Sequence, residues 1–301
     1  LEPHTPNKLF TYQINAMYDQ NAKCERFEKF LEEVLVTEDK KRPDYDLIRL
    51  VQQFVGYCLY IEIPFHQCLM LYGSGRNGKG VLVFVISWLF KKLTSQVQFE
   101  EIGEDRFATA DLVNKLINIS SEFSVNAKLS DGRIKGIIAG DEQRAQRKHQ
   151  QPFVFRPIAK HIITTNNLPR SRDNSYGFFS RFMIIPFHQT FIKKNGIGKI
   201  KNEILLMNTS NCDPYLEEKL KVEVDGILLW VLEGLRDLLK NNGFCHSAQV
   251  EKYKKIFKIR CTSVESFMKE KVDDSDSTQK TTLQDLFNAY LALTESSASI
   301  T

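Results

Sequence analysis

Apolar residues recur at helical spacing from Cys24 to Val36, at Phe27, Phe30, Leu31 and Val34. The spacing returns after Pro43-Asp44, at Leu47, Leu50, Val51, Phe54, Val55 and Cys58. Both runs predict amphipathic helices, because an α-helical turn gathers such positions on one face. Pro64 breaks the pattern, and Cys68–Tyr72 then reads as a short buried strand running into Gly73-Ser-Gly-Arg-Asn-Gly-Lys-Gly80. A helix with Leu82, Val85, Ile86 and Leu89 inward is expected next. Further short strands are expected at Val97–Phe99, Leu116–Ser120, His161–Thr165 and Phe182–Pro186. Strands alternating with helical segments predict an α/β core around a mostly parallel sheet. Beyond Pro214 the pattern is helical, with Ile227, Leu228, Val231, Leu232, Leu235 and Leu238 on one face and a stop at Asn241-Asn-Gly243. This element is expected to be a helical lid or collar. Two more helices, at Val264–Lys271 and Thr282–Leu293, are expected after the basic stretch Lys252–Arg260.

Composition fits such a fold: 301 residues, 42% hydrophobic and 26% charged, allow a sizeable core. The longest apolar run, Val81–Phe90, falls short of the roughly 18 residues that span a bilayer, so the chain is expected to be soluble. Six cysteines without a CxxC pair point to a reducing, cytoplasmic setting. Cys58 and Cys68 lie in apolar runs and read as small buried hydrophobes instead of zinc ligands. The first residue is Leu1, and the chain reads as a piece of a longer polypeptide. A net charge of +4 is too small to identify a nucleic-acid binder, so the distribution of charge matters more.

Strand, glycine-rich turn and helix together aim backbone N–H groups and a positive helix end at a phosphate chain. Gly73, Ser74, Gly75, Arg76, Asn77, Gly78, Lys79 and Gly80 meet the G-x-x-x-x-G-K spacing in full, with Lys79 supplying an ammonium for β and γ phosphates. Gly80 stands where a Ser or Thr hydroxyl normally meets Mg²⁺. The segment Lys115–Glu122 reads as an apolar strand ending in a carboxylate, and Glu122 is the candidate to hold Mg²⁺ through water and to polarise an attacking water. His161–Asn166 delivers an amide to a strand end, where it suits a water held against the γ phosphate. Arg181 stands just before a buried strand, a wasteful place for a guanidinium without an anion to meet. The stretch Gly140–Arg156 reads as two short strands joined by a polar tip that bears Arg144, Arg147, Lys148 and His149. Taken singly, each of these has a bland alternative: an edge carboxylate, a turn asparagine, an intramolecular ion pair and a solvated basic turn.

In their order and spacing these motifs resemble the superfamily 3 helicases, specifically the helicase part of phage and plasmid primase-helicases. Gly73–Lys79 is similar to that family's Walker A loop, Ile117–Glu122 to its Walker B strand, Asn166 to its sensor asparagine and Arg181 to its arginine finger. Arg147-Lys148-His149 followed by Pro152 resembles its DNA-tracking hairpin. The resemblance implies an AAA+ motor, residues 66–205, after a helical segment, residues 1–65. A lid over residues 206–245 and an incomplete winged helix over 246–301 follow. It further implies a homo-hexameric ring with ATP between subunits, moving on single-stranded and forked DNA. Lys79, Glu122 and Asn166 would come from one protomer and Arg181, with Lys135 as a further contact, from its neighbour. A primase domain preceding Leu1 in the same polypeptide would fit the family. Gly80 and Ser121, the latter at a place often acidic, depart from the pattern. They keep open a nucleotide-binding replication initiator or DNA-binding scaffold with weak turnover. An AAA+ remodeller of proteins would have no use for the basic hairpin.

Overall fold

A strand that is apolar at every position needs cover on both faces, and parallel sheets provide it by placing helices on each side. A computed structural model of the chain describes residues 5–8, 10–121, 131–169, 171, 175–192, 209–211, 213–261 and 281–295. In chain order it contains α1 (Glu25–Val34), α2 (Tyr45–Tyr57), β1 (Cys68–Tyr72), α3 (Lys79–Phe90), β2 (Thr94–Ser95), α4 (Phe99–Glu104), α5 (Arg106–Ala110), β3 (Ile117–Ser120) and α6 (Asp131–Ala139). Then come β4 (Gln143–Ala145), β5 (Phe153–Phe155), β6 (Lys160–Thr165), α7 (Tyr176–Phe179), β7 (Phe182–Pro186), β8 (Thr190–Ile192) and β9 (Thr209–Asn211). The last described elements are α8 (Leu216–Val222), α9 (Val224–Asn241), α10 (Ala248–Cys261) and α11 (Leu283–Glu295).

Five strands form one sheet in the order β2-β3-β6-β1-β7, and every pairing in it is parallel. The alternation of side chains divides the core in two. Leu69, Leu71, Ile162, Met183 and Ile185 face a cluster filled by α1, α2, α3 and α9, through residues such as Phe27, Leu50, Phe54, Leu82, Ile86 and Val231. Met70, Tyr72, Ile163, Phe182 and Ile184 face the other, closed by Ile134, Ile137, Phe178, Tyr253 and Phe257 from α6, α7 and α10. The expected α/β class with a parallel sheet is therefore present.

The N-terminal helices are fixed to the rest by specific contacts. The Glu223 carboxylate accepts from Arg26 N (3.1 Å) and Phe27 N (2.9 Å), capping α1 in place of Cys24, which makes no side-chain cap. Helices α2 and α9 meet so closely that a Cβ on Gly234 would lie 2.2 Å from the Gln52 carbonyl oxygen, and one on Gly56 2.4 Å from Leu235 N. Arg49 clasps Asp237 with two bonds of 2.8 Å, holding that carboxyl below its usual range.

The expected strand at Val97–Phe99 is not formed; the strand there is Thr94–Ser95, and Phe99 opens α4. Side chains from β3 replace the ladder: Asn118 accepts from Val97 N and donates to Val97 O, both at 2.9 Å, and Ser120 Oγ accepts from Phe99 N at 2.9 Å. Glu100 and Glu101 then favour a helix start, where the peptide dipoles are positive. The expected helix at Val264–Lys271 lies outside the described residues. The basic stretch Lys252–Arg260 belongs to α10, whose Val250, Tyr253 and Phe257 are buried. Among the described residues no helix is long and apolar enough to cross a membrane.

His161 on β6 is 1% exposed and rests edge-on against Phe99, and neither ring nitrogen has a partner among the described residues. Burial, helped by the neighbouring Lys160 charge, pushes its pKa from 6.5 down to about 3. Between those values the unfolded chain takes up a proton that the folded chain refuses, so stability falls as pH drops through this window. His161→Leu is expected to flatten that part of the acid-unfolding curve in chemical denaturation read at several pH values. An unchanged slope between pH 6.5 and 4 would refute this account.

Candidate functional site

Register places the site. Tyr72 lies opposite Thr165 on one side and Pro186 on the other, so the exits of β1, β6 and β7 share one edge of the sheet. Gly73 starts the glycine-rich turn there, its N–H donating to Thr165 O at 3.2 Å. The turn ends at Gly78, whose φ of 94° and ψ of −9° serve as the N-cap of α3. A side chain at Gly78 would also collide with the helix beneath, because its Cβ would lie 2.5 Å from Val34 Cγ1. Gly73 is pressed from another side, since its Cβ would meet Asn77 Nδ2 at 2.2 Å and Phe187 O at 2.8 Å. Asn77 is 2% exposed, and its Nδ2 has no partner among the described residues.

Lys79, the first residue of α3, is buried at 7% exposure. Its ammonium donates to Gly73 O, to Thr165 O at 3.2 Å and to Asn166 Oδ1 at 2.9 Å. Two residues 87 positions apart in sequence, Lys79 and Asn166, therefore touch at the strand edge. The edge combines a cation, an amide bonded to it and a turn rich in backbone donors, a set suited to phosphate oxygens and to water beside them. Gly80 differs from Gly73 and Gly78: a Cβ there would meet nothing within 4 Å, and unlike the equally open Gly75 it has no positive φ. The position supplies no oxygen, but there is room for a hydroxyl or for a water in its place.

The other predicted residues lie elsewhere. Glu122 is outside the described residues; the preceding Ser121 is exposed and accepts from Gln98 Nε2 at 3.0 Å. Arg181 precedes β7, and its carbonyl accepts from Cys68 N at 2.8 Å, at the entry edge of the sheet. A five-residue parallel strand, roughly 16 Å long, separates it from the glycine-rich turn. Its guanidinium donates from Nη1 to Gly177 O, while Nε is buried without a partner among the described residues. Lys135 is half-buried on α6.

Strands β4 and β5 pair antiparallel, with Arg144 opposite Val154, as the reading of a hairpin requires. Arg144, Arg147, Lys148 and His149 are all exposed. The tip is shaped by Gln150 N donating to Arg147 O at 3.1 Å and by His149 at φ 62°. Arg147 lies 5.8 Å from the Phe153 ring centroid, within cation–π range. Two features escaped the sequence reading. One is the contact of Phe187 and Phe191 with the phosphate turn, which runs through backbone atoms. The other is the burial of α10 on β7, which the spacing Val250, Tyr253, Phe257 would have disclosed.

Comparison with known proteins gives three findings. Residues 71–181, from the end of β1 to Arg181, match a family described only as a family of unknown function (DUF5906). Over 249 residues the chain is 25% identical to a protein of Acanthamoeba polyphaga mimivirus named "Putative helicase L207/L206". That alignment takes in 80% of this chain and 26% of the viral protein, so the chain spans about a quarter of its relative's length. In structure it is similar to the A-form apo structure of the NrS-1 C-terminal region, with a TM-score of 0.60 at 18% identity over 95% of this chain and 66% of that one. A second apo structure of the NrS-1 C-terminal region gives a TM-score of 0.52 at 15% identity, over 97% and 69% of the two chains. At these identities the structural likeness concerns the fold.

The geometry of the turn separates two glycine substitutions. Gly78→Ala is expected to destabilise the fold by about 1 to 3 kcal/mol, since it joins a left-handed backbone to a clash with Val34. Gly80→Ser should change it by less than about 1 kcal/mol, the cost of replacing glycine near a helix start being small. Denaturant titration of both variants checks the contrast.

Proposed function

We infer that this chain is the ATP-hydrolysing motor of a DNA helicase, acting in replication of a phage, plasmid or other mobile element as a hexameric ring on single-stranded DNA. One observation carries the reading: a complete phosphate turn whose Lys79 meets Asn166 at the exit edge of a parallel sheet. The likeness to a viral protein named as a helicase and to the NrS-1 fold supports it.

In this reading the N–H groups of Gly75 to Gly80 and the Lys79 ammonium bind the β and γ phosphates of ATP. Asn166 turns its amide to a water in line with the γ phosphate. Glu122 would draw a proton from that water and, with ordered water, would hold Mg²⁺, whose charge would neutralise the phosphates as the γ group is transferred. Room beside Gly80 for a water fits such a cation held without a direct hydroxyl ligand. Arg181, far from the turn of its own chain, stabilises the γ phosphate of the neighbouring subunit, a role typically worth ~10³ to 10⁵ in rate. Lys135 adds a second contact across the same boundary. Arg144, Arg147, Lys148 and His149 line the ring's opening and grip successive phosphates of one strand.

A second reading, a nucleotide-binding initiator or scaffold with weak turnover, draws on Gly80 and Ser121, which offer the metal neither a hydroxyl at the turn nor a carboxylate before Glu122. ATP hydrolysis with and without single-stranded DNA, together with unwinding of a forked duplex, separates the two. The motor should hydrolyse faster with DNA and unwind the fork. Lys79→Ala should abolish both activities, and Lys148→Ala with His149→Ala should remove the DNA stimulation. A flat, near-zero rate in the native chain favours the scaffold.

The same site generates a prediction about the metal. Gly80→Ser should lower the Mg²⁺ concentration for half-maximal hydrolysis several-fold, because a hydroxyl placed in open space replaces one ordered water as ligand. A magnesium titration of the ATPase that gives one curve for both proteins would exclude Gly80 from the metal's surroundings.

A further inference from the structure

The crest of the phosphate turn is held from outside the turn. Phe191 N donates to the Arg76 carbonyl at 2.7 Å. Arg76 is not a glycine, yet its φ is 50°, a left-handed conformation that L-residues adopt only at a cost. The base of the turn is gripped by the same segment: Phe187 N donates to Tyr72 O at 2.8 Å, and Phe187 packs against Gly73 so tightly that no Cβ fits. Residues 187–191 thus form a strap touching the turn at both ends.

The strap is itself anchored. His188 Nε2 lies 2.7 Å from Gln249 Oε1 on α10, and Gln249 Nε2 donates onward to Asp44 Oδ2 at 2.6 Å and to Val36 O at 3.1 Å. At its far end the strap enters β8, which pairs with β9, Phe191 standing opposite Ser210. Upstream it is the direct continuation of β7, which is paired along its length with β1. A strap tied to α10, to the N-terminal helices and to the central sheet is a fixed frame against which a glycine-rich turn can be set.

A planar trans peptide carries its C=O and the following N–H on opposite sides. Fixing the Arg76 carbonyl on Phe191 therefore turns the Asn77 N–H away from the strap. We propose that the Phe191 main-chain N–H is a positioning group for phosphate binding: by holding the Arg76–Asn77 peptide plane, it presents the Asn77 N–H to a phosphate oxygen before the nucleotide arrives. The Phe191 side chain has no part in this; the donor is the backbone. This rests on the reading of the turn as a nucleotide site.

The test measures binding of adenosine 5′-(γ-thio)triphosphate by calorimetry to the full chain, to Phe191→Ala, to Phe191→Pro and to Lys79→Ala. Phe191→Ala keeps the donor, whereas Phe191→Pro removes it and sets a Cδ against the Arg76 carbonyl. Binding should weaken by roughly three- to tenfold in Phe191→Pro relative to Phe191→Ala, the worth of one hydrogen bond. Melting temperatures of the two variants without nucleotide check that both are folded. Should Phe191→Pro fail to fold, amide hydrogen exchange on the native chain replaces it. The Phe191 amide should then exchange slowly both without and with nucleotide. Equal affinities of the folded alanine and proline variants, or an unprotected Phe191 amide in a chain that binds nucleotide normally, overturn the proposal alone. Failure of the native chain to bind, or binding untouched by Lys79→Ala, overturns the nucleotide reading with it.

Discussion

Everything at the candidate site follows from the parallel register that sets Tyr72 opposite both Thr165 and Pro186. Because the three strands run the same way, their three exits converge, and Gly73, Asn166 and Phe187 become neighbours although more than a hundred residues separate the first from the last. A one-residue slip would turn Tyr72 to the opposite face, exchanging the two halves of the core and withdrawing the turn from Asn166. Burial enforces the register. Leu69 and Leu71 belong to one apolar cluster, Met70 and Tyr72 to the other, and neither face has room for the wrong set.

A parallel sheet must be covered on both faces, which explains why segments far apart in sequence share one core. Helices α1 and α2 precede the sheet and α9 follows it, yet all three fill the cluster beneath the glycine-rich turn. Val34 of α1 is the floor against which Gly78 rests, so the shape of the turn depends on a helix some forty residues before it. Lys160 shows the cost of this closeness. Its stem is buried, its ammonium lies 4.8 Å from the Tyr57 ring centroid and donates to Tyr60 O, and desolvation draws its pKa down to about 8. A lysine retained at the start of a core strand links β6 to the chain leaving α2, where an apolar residue would pack but not hydrogen-bond.

What could be read from the sequence was what local chemistry dictates. Cys68–Tyr72 and Phe182–Pro186 are apolar runs with clear ends, and both strands coincide with the reading to the residue. The glycine-rich turn between β1 and α3 was legible because its glycines and lysine stand at fixed spacing along a few residues. Val97–Phe99 misled because apolar content marks burial and not ladder pairing; Asn118 and Ser120, on a different strand, decide the backbone there. Helix α10 was obscured by its lysines, which occupy its outer faces while Val250, Tyr253 and Phe257 pack inward. The meeting of Lys79 with Asn166 depends on tertiary register, and only resemblance to a family linked them beforehand. The strap was illegible in principle, since the N–H of Phe191 would be there for any residue but proline.

Arg181 is where packing and chemistry pull apart. The guanidinium has five donors in a rigid plane, and a chain that used it only for structure would surround them with carboxylates or carbonyls. Gly177 O takes one donor, Nε is buried and unmet, and no carboxylate pairs with it among the described residues. An anion bound at the glycine-rich turn of the same chain cannot meet it, because the whole length of β7 lies between them. A guanidinium kept at the entry edge, incompletely satisfied and on the strand that continues into the strap holding the turn, makes sense if the anion it meets belongs to another chain. On the assembly proposed above, one strand would touch two nucleotide sites, its own through Phe187 and the neighbour's through Arg181.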